Sequence, residues 1–283
     1  PNLLNFDLLI LINRWRIMKK STRQELINFF LIAFGWMWLI NLPRVLNSFN
    51  VITLPPLLST ILGNIAVFGP MVAAFLLTGK KSNKEGLRSL WKSGWTTNFR
   101  KIWLLPTLLL VPFMGLITVF ILQLLKQPIQ WEYGLPPAMI VPIGLLIWLL
   151  GALPEEFGWR GYALGRLQTK YSPLVASLIL GIIWGIWHLP LHFIQGTTQS
   201  VVPIWEFLAQ TIVLSIVYTW LFNGTGSVFI VILFHAIGNI TGAVLPYWTT
   251  SLGRWISFLL SLIPALLIIL LKSSNFNKID AGH

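Results

Sequence analysis

The chain has 283 residues, 55% of them hydrophobic and only 10% charged, with 15 Trp and a net charge of +12. A soluble domain carries charge nearer ~25%, so this composition and a mean hydropathy of +0.76 exclude an ordinary soluble globule and read as an all-α, polytopic membrane protein. With no cysteine in the chain, disulfides, thiol nucleophiles and Cys-ligated zinc are excluded.

Residues 1–17 read as an upstream or added extension, because Met18-Lys19-Lys20 looks like a start followed by a basic flank. Its apolar part, Leu8 to Ile12, is too short to span and would at most lie at an interface. The first span is predicted from about Glu25 to Leu42, closed by Leu42-Pro43-Arg44, and the second from about Pro56 to Leu77, containing Gly63, Gly69 and Pro70. A basic segment follows, with Lys80, Lys81, Lys84, Arg88, Lys92, Arg100 and Lys101 set around Leu87, Leu90, Trp91 and Trp95. That pattern predicts an amphipathic helix on anionic lipid, with Trp at headgroup depth. The hydrophobic flanks argue against a nucleic-acid surface.

The third span runs from about Ile102 to Leu125, with Pro106 and Pro112 as expected kinks. After a loop from Lys126 to Pro137, the fourth starts near Ala138 and leads into Leu153-Pro-Glu-Glu-Phe-Gly-Trp-Arg160. The remaining spans are predicted over about Pro173–Phe193, Pro203–Phe222, Val228–Tyr247 and Leu252–Leu271, with a turn by composition at Asn223 to Ser227. This gives about eight transmembrane helices around a buried polar cavity. The chain then divides into an N-terminal membrane region with its basic cytoplasmic segment (18–137), a catalytic membrane core (138–272) and a polar tail (273–283) that ends in His283.

With the N-terminus cytoplasmic, all of the 20 Lys and Arg residues but Arg44, Lys126 and Arg254 fall on the inner side. Orientation and lipid contact thus account for the net charge, with no acidic partner required. Glu155, Glu156 and Arg160 would sit toward the cytoplasmic end of the fourth span and His188 further out along the fifth, so a broken or tilted helix would be needed to bring them level.

Three ionisable residues within six positions are costly near a bilayer, at about 2.5–3.5 kcal/mol each on insertion scales. Either they are a solvated helix end or they are paired and used. Glu156 and Arg160 are four apart with the acid first, the favourable order for a helical pair, which leaves Glu155 turned away and free. His188 lies in Trp184-Gly-Ile-Trp187-His188, with His192 beyond Pro190 as an interfacial group, and His235 and Asn239 share one face of the seventh span. Gly238 and Gly242 beside them would permit another helix to approach closely. Taken singly, a buried His is more often bonded to a carbonyl, and Asn239 could be glue between helices. Taken together, one carboxylate helix and two imidazole helices read as one buried cluster.

A carboxylate and an imidazole that share a water can remove its proton as it attacks a carbonyl. A second imidazole with an amide donor can steady the oxygen that becomes negative. The metal version would set Glu155, His188 and His235 around zinc with an open position. The helical His-Glu-x-x-His signature is absent, so the sequence calls for no cofactor of its own. Proton-coupled carriers and immunity factors that bind without cutting also use intramembrane Glu and His, and they form the non-enzymatic alternative.

In order and spacing, Glu155-Glu156-x-x-x-Arg160, an aromatic-x-x-x-His at Trp184 to His188, and His235-x-x-x-Asn239 resemble the three motifs of the CAAX protease and bacteriocin-processing (CPBP, or Abi) intramembrane peptidases, the type II prenyl endopeptidase superfamily. The resemblance covers roughly Ile140 to Leu271. It implies an eight-helix membrane fold, with Glu155 and His188 activating water, His235 and Asn239 steadying the oxyanion, and Glu156 and Arg160 in support. It favours a glutamate-activated water over a bound metal. Trp184 stands where the family usually has Phe, a departure expected to affect packing more than chemistry. The implied protein is a multi-pass protein of a bacterial plasma membrane. Its substrate would be a membrane-embedded peptide or a lipidated protein such as a prenylated CAAX tail.

Overall fold

The computed structural model describes residues 20–271. The expectations for residues 1–17, for Met18 and for the tail with His283 lie outside the described residues. Among the described residues there is no strand. The helices are α1 (Lys20–Ser48), α2 (Pro56–Ala66), α3 (Gly69–Ser93), α4 (Leu104–Leu124), α5 (Pro137–Gln168), α6 (Pro173–Trp187), α7 (Ile204–Thr225), α8 (Val228–Val244) and α9 (Ser251–Leu270).

The protein is an all-α polytopic membrane protein, and the predicted spans appear in order but not all in the predicted form. Six stretches are long and apolar enough to cross a membrane, and α2 with α3, bent by 44°, makes a seventh. The predicted second span is therefore broken at Val67-Phe68. α8, at 17 residues, is only roughly 25 Å long, short of the ~30 Å hydrocarbon layer. It stops at Val244 instead of reaching Tyr247.

Local chemistry explains the boundaries. Pro56 and Pro173 open α2 and α6 at positions where a missing N–H costs nothing. The hydroxyls of Ser172, Ser227 and Thr250 accept from backbone N–H groups of the first turns of α6, α8 and α9. Gly226, with φ of 62°, ends α7 in the left-handed conformation that glycine adopts without strain. Of the two prolines expected to kink α4, Pro106 falls in the first turn and only Pro112 lies in the interior.

The basic segment forms a helical stretch of its own beyond Asn83, whose φ of 50° breaks α3. Its apolar side packs on protein: Leu90 is buried, and the Trp91 ring stacks on the fully buried Phe157 with centroids 5.7 Å apart. Lys84, Arg88, Lys92, Arg100 and Lys101 stay exposed.

Side-chain and backbone hydrogen bonds sort the helix ends into two faces. On one, the Ser227 hydroxyl donates to Thr96 O at 2.6 Å, and the Gln168 amide donates to Asn223 at 3.1 Å. Glu25 on this face accepts from Lys81 at 2.5 Å and from Arg166 at 2.8 Å. On the other, the Gln195 N–H donates to the Ser48 hydroxyl at 3.1 Å and the Leu135 N–H to Ala243 O at 2.6 Å.

α5 is the axis of the bundle, touching α3, α6, α7 and α8. It leads into the Glu155-Glu156 stretch, as predicted, and runs on through Arg160 to Gln168. Close helix contacts form elsewhere than predicted too. A Cβ at Gly238 or Gly242 would meet nothing within 4 Å, whereas one at Gly181 would lie 2.7 Å from Ile212 Cα. Gly181 and Gly185 form the small-residue seam that lets α6 approach α7. Gly158 does the same for α5 and α3, since its Cβ would lie 2.6 Å from the Pro70 carbonyl carbon. Backbone cannot yield as a side-chain tip can, so Gly158→Ala should destabilise the protein by about 1–3 kcal/mol. Thermal unfolding in detergent should show the lowered midpoint, and an unchanged midpoint would contradict this packing.

Candidate functional site

The acidic stretch lies in the middle of α5, on a short α-helical piece (Leu153–Gly158) between two π-helical segments, Trp148–Ala152 and Trp159–Leu164. Pro154 supplies a cause for the first: it has no N–H for the carbonyl four residues back, and the Leu153 N–H bonds instead to Trp148 O, five back. Such wide turns change where the following side chains point. Every residue from Leu153 to Gly158 is buried, as is Arg160, which rules out a solvated helix end.

The predicted Glu156–Arg160 pair is present. Arg160 Nη1 donates to Glu156 Oε1 at 3.0 Å and Oε2 at 2.9 Å, and both side chains are wholly buried. The guanidinium also reaches the Ser215 hydroxyl at 3.4 Å and lies over the Tyr218 ring, 4.2 Å from its centroid. Glu156 has a second partner: His235 Nδ1 sits 2.8 Å from Oε1. An ionised carboxylate only accepts, so Nδ1 carries the proton and Nε2 is left for the cavity.

His188 is fixed in the same way. Its Nδ1 lies 2.8 Å from Trp184 O, and a carbonyl can only accept, so in the neutral ring Nε2 is an acceptor. That nitrogen is 4.0 Å from Glu155 Oε2. Two acceptors at this separation do not bond to each other, but both can be satisfied by a donor between them, and a water has two O–H groups to give. Oε2 also accepts from the Trp184 indole N–H at 2.6 Å. The Trp184 substitution therefore does more than alter packing, correcting the expectation: Phe has no donor, whereas this Trp grips the carboxylate. Its ring also lies edge-on to His188 and His235, with centroids 5.7 and 5.5 Å away.

Glu155, His188, His235 and Asn239 all line one cavity of about 480 Å³. Glu155 and His188 stand level, with Oε2 and Nε2 4.0 Å apart, and α5 carries a π-helical segment on either side of Glu155. Asn239 stands one turn beyond His235, and among the described residues its side chain has no hydrogen bond to another helix, which disfavours the role of glue. His192 stays apart: its Nδ1 faces Val202 O at 3.1 Å, and the Phe207 ring packs against both it and His188. Among the described residues no group of three or more His, Asp or Glu side chains is placed to hold a metal ion. In each imidazole Nδ1 is held, by Trp184 O or by Glu156, and Nε2 is the nitrogen left over.

The sequence reading passed over Ser215 and Tyr218, although Thr211, Ser215 and Tyr218 form a polar stripe at helical spacing along α7. It also passed over Glu206 and Arg254, paired at 2.5 Å in the cavity wall. Forty-eight residues separate that pair, and no local pattern joins it.

The buried triad makes a prediction. Glu156→Gln leaves Arg160 an uncompensated buried cation and should cost about 3–5 kcal/mol, whereas adding Arg160→Met should recover much of the loss. Unfolding midpoints of the single and double variants would show it, and equal midpoints for wild type and Glu156→Gln would count against it.

Comparison with known proteins points the same way. Residues 137–241 match the family described as type II CAAX prenyl endopeptidase Rce1-like, a range that contains all six predicted site residues. Over 150 residues the chain is 35% identical to the protein named CAAX prenyl protease 2 of Methanococcus maripaludis, a match that covers 50% of this chain and 52% of that protein. The chain thus spans about half the length of that curated relative.

Proposed function

We propose, from the match of residues 137–241 to the type II CAAX prenyl endopeptidase family, that the chain is an intramembrane endopeptidase that hydrolyses a peptide bond of a membrane-associated polypeptide. The observation that carries the reading is the 4.0 Å gap between two acceptors, Glu155 Oε2 and His188 Nε2, in the wall of a cavity large enough for a peptide segment.

In this reading a water donates to both groups. As its oxygen attacks the carbonyl carbon, Glu155 takes one proton, with His188 holding the water's other hydrogen and its orientation. Negative charge collects on the former carbonyl oxygen, where the Asn239 amide and a protonated His235 Nε2 donate to it. The proton held by Glu155 passes to the departing nitrogen, the C–N bond breaks, and the products are a carboxylic acid and an amine, the acid then giving its proton to the amine. No covalent intermediate forms. Glu156 supports the reaction indirectly: bonded to His235 Nδ1, it turns Nε2 toward the substrate, and Arg160 holds Glu156. Trp184 is a positioning residue that keeps Glu155 from rotating out of reach of the water. The name of the relative suggests a prenylated C-terminal tail as the first substrate to try on detergent-purified protein, where either face is accessible.

In purified protein acting on a fluorogenic membrane peptide, Glu155→Gln should lower the rate by roughly 10²–10⁴-fold without lowering the unfolding midpoint, the range of a lost general base. Full activity in that variant, or a transport current that replaces cleavage, would overturn the reading. Trp184→Phe keeps an aromatic ring but removes the donor, so kcat should fall by up to roughly 100-fold with KM nearly constant. A rise in KM alone would mean that the indole serves packing and not the carboxylate. Because water activation is assigned to Glu155, a chelator should leave the rate unaltered, and loss restored by zinc would reassign that step.

A further inference from the structure

The cavity is built entirely from one end of the bundle. Its floor is Glu155, Trp184, Tyr218 and His235, and its upper walls come from Thr198, Gln199, Trp205, Trp248 and Trp255, together with the Glu206–Arg254 pair. These wall residues belong to the face that holds the connections 48–56, 187–204 and 244–251. No lining residue comes from the basic segment or from the connections 168–173 and 225–228. Toward that opposite face the bundle is solid, for Trp159, Leu164, Leu167, Leu221 and Val231 are each fully buried.

The two faces differ in charge. Lys84, Arg88, Lys92, Arg100 and Lys101 stand exposed on the closed face. The open face has Arg44, Lys126 and Arg254 among the described residues, and Arg254 is neutralised by Glu206. Positive charge within short loops marks the cytoplasmic side of a membrane protein. Trp205, Trp248 and Trp255 at the mouth are the residues expected where a membrane meets water.

We propose that the cavity opens on the extracytoplasmic side and takes its substrate from there: an extended, largely uncharged segment of a secreted or membrane-anchored polypeptide presented at the outer leaflet. The wall explains the preference for an uncharged segment, since its one ion pair is already matched and the rest of the upper wall offers aromatic and neutral polar groups. A C-terminal tail displayed in the cytoplasm would meet the closed, basic face instead. The word substrate rests on the peptidase reading, but the side on which the cavity opens does not.

The chain lacks cysteine, so single-cysteine reporters need no background removal. Thr198→Cys reports the mouth, Gln127→Cys reports the same face outside the cavity, and Lys84→Cys reports the basic face; all three positions are exposed. With a membrane-impermeant maleimide on intact spheroplasts, Thr198→Cys and Gln127→Cys should be labelled, and Lys84→Cys only after the membrane is broken. Labelling of Lys84→Cys in intact spheroplasts with protection of the other two overturns the proposal, as does equal labelling of all three. Repeating the Thr198→Cys measurement in the Glu155→Gln background separates the two claims. Unchanged labelling there supports the assigned side even if no cleavage is found for the wild type, whereas cleavage with the reversed labelling pattern leaves the peptidase standing and removes the proposed side.

Discussion

The site depends on one buried carboxylate. Glu156 accepts from Arg160 of its own helix and from His235 of α8, and Arg160 in turn reaches Ser215 and lies over Tyr218 on α7. Three helices are thereby joined through charge that could not stay in a lipid environment unpaired. A buried ion pair is seldom the most stable way to fill that space, since apolar groups of equal size often do as well. What the pair supplies is direction: the acid takes Nδ1 of His235 and so turns Nε2 toward the cavity.

Glu155, the neighbouring acid, is held quite differently. Among the described residues no cation is paired with it; its partners are the indole N–H of Trp184 and, 4.0 Å away, the acceptor nitrogen of His188. Two adjacent carboxylates thus take separate roles because the helix turns them about 100° apart, one into protein and one into the cavity. The π-helical segments on either side of them set the final aim, and Trp184 acts on both sides at once, gripping Glu155 through its side chain and His188 through its carbonyl.

The closed side of the site is as much a part of the design as the open one. Aromatic packing of Phe29, Trp159, Tyr162 and Trp187 fills the bundle beside α5, while Phe157 is covered by Phe75 and Trp91. Water that reached Glu156 and Arg160 from the basic face would loosen their attraction, because a pair in a dry interior interacts far more strongly than one in solvent. The basic continuation of α3 thus shields the site as well as presenting its lysines and arginines.

Some of this was legible in the amino-acid sequence, for reasons that can be named. The spans and their order follow from runs of apolar residues, which bilayer thickness makes unambiguous. Glu156 and Arg160 follow from i,i+4 spacing, and Glu155, His188, His235 and Asn239 from the rarity of polar groups in such runs. What failed were inferences from residue type alone: Gly238 and Gly242 suggested a helix contact that Gly181 and Gly185 make instead, and Trp184 looked like filler. Only the tertiary structure decided that Glu156 binds His235, that Trp184 binds Glu155, that the α5 helix continues through the site, and at which end the cavity opens. Those facts depend on distances between residues 29 to 79 positions apart and on the rotation of broken helices. Sequence periodicity describes one helix about its own axis and carries no information on how that axis is set against its neighbours.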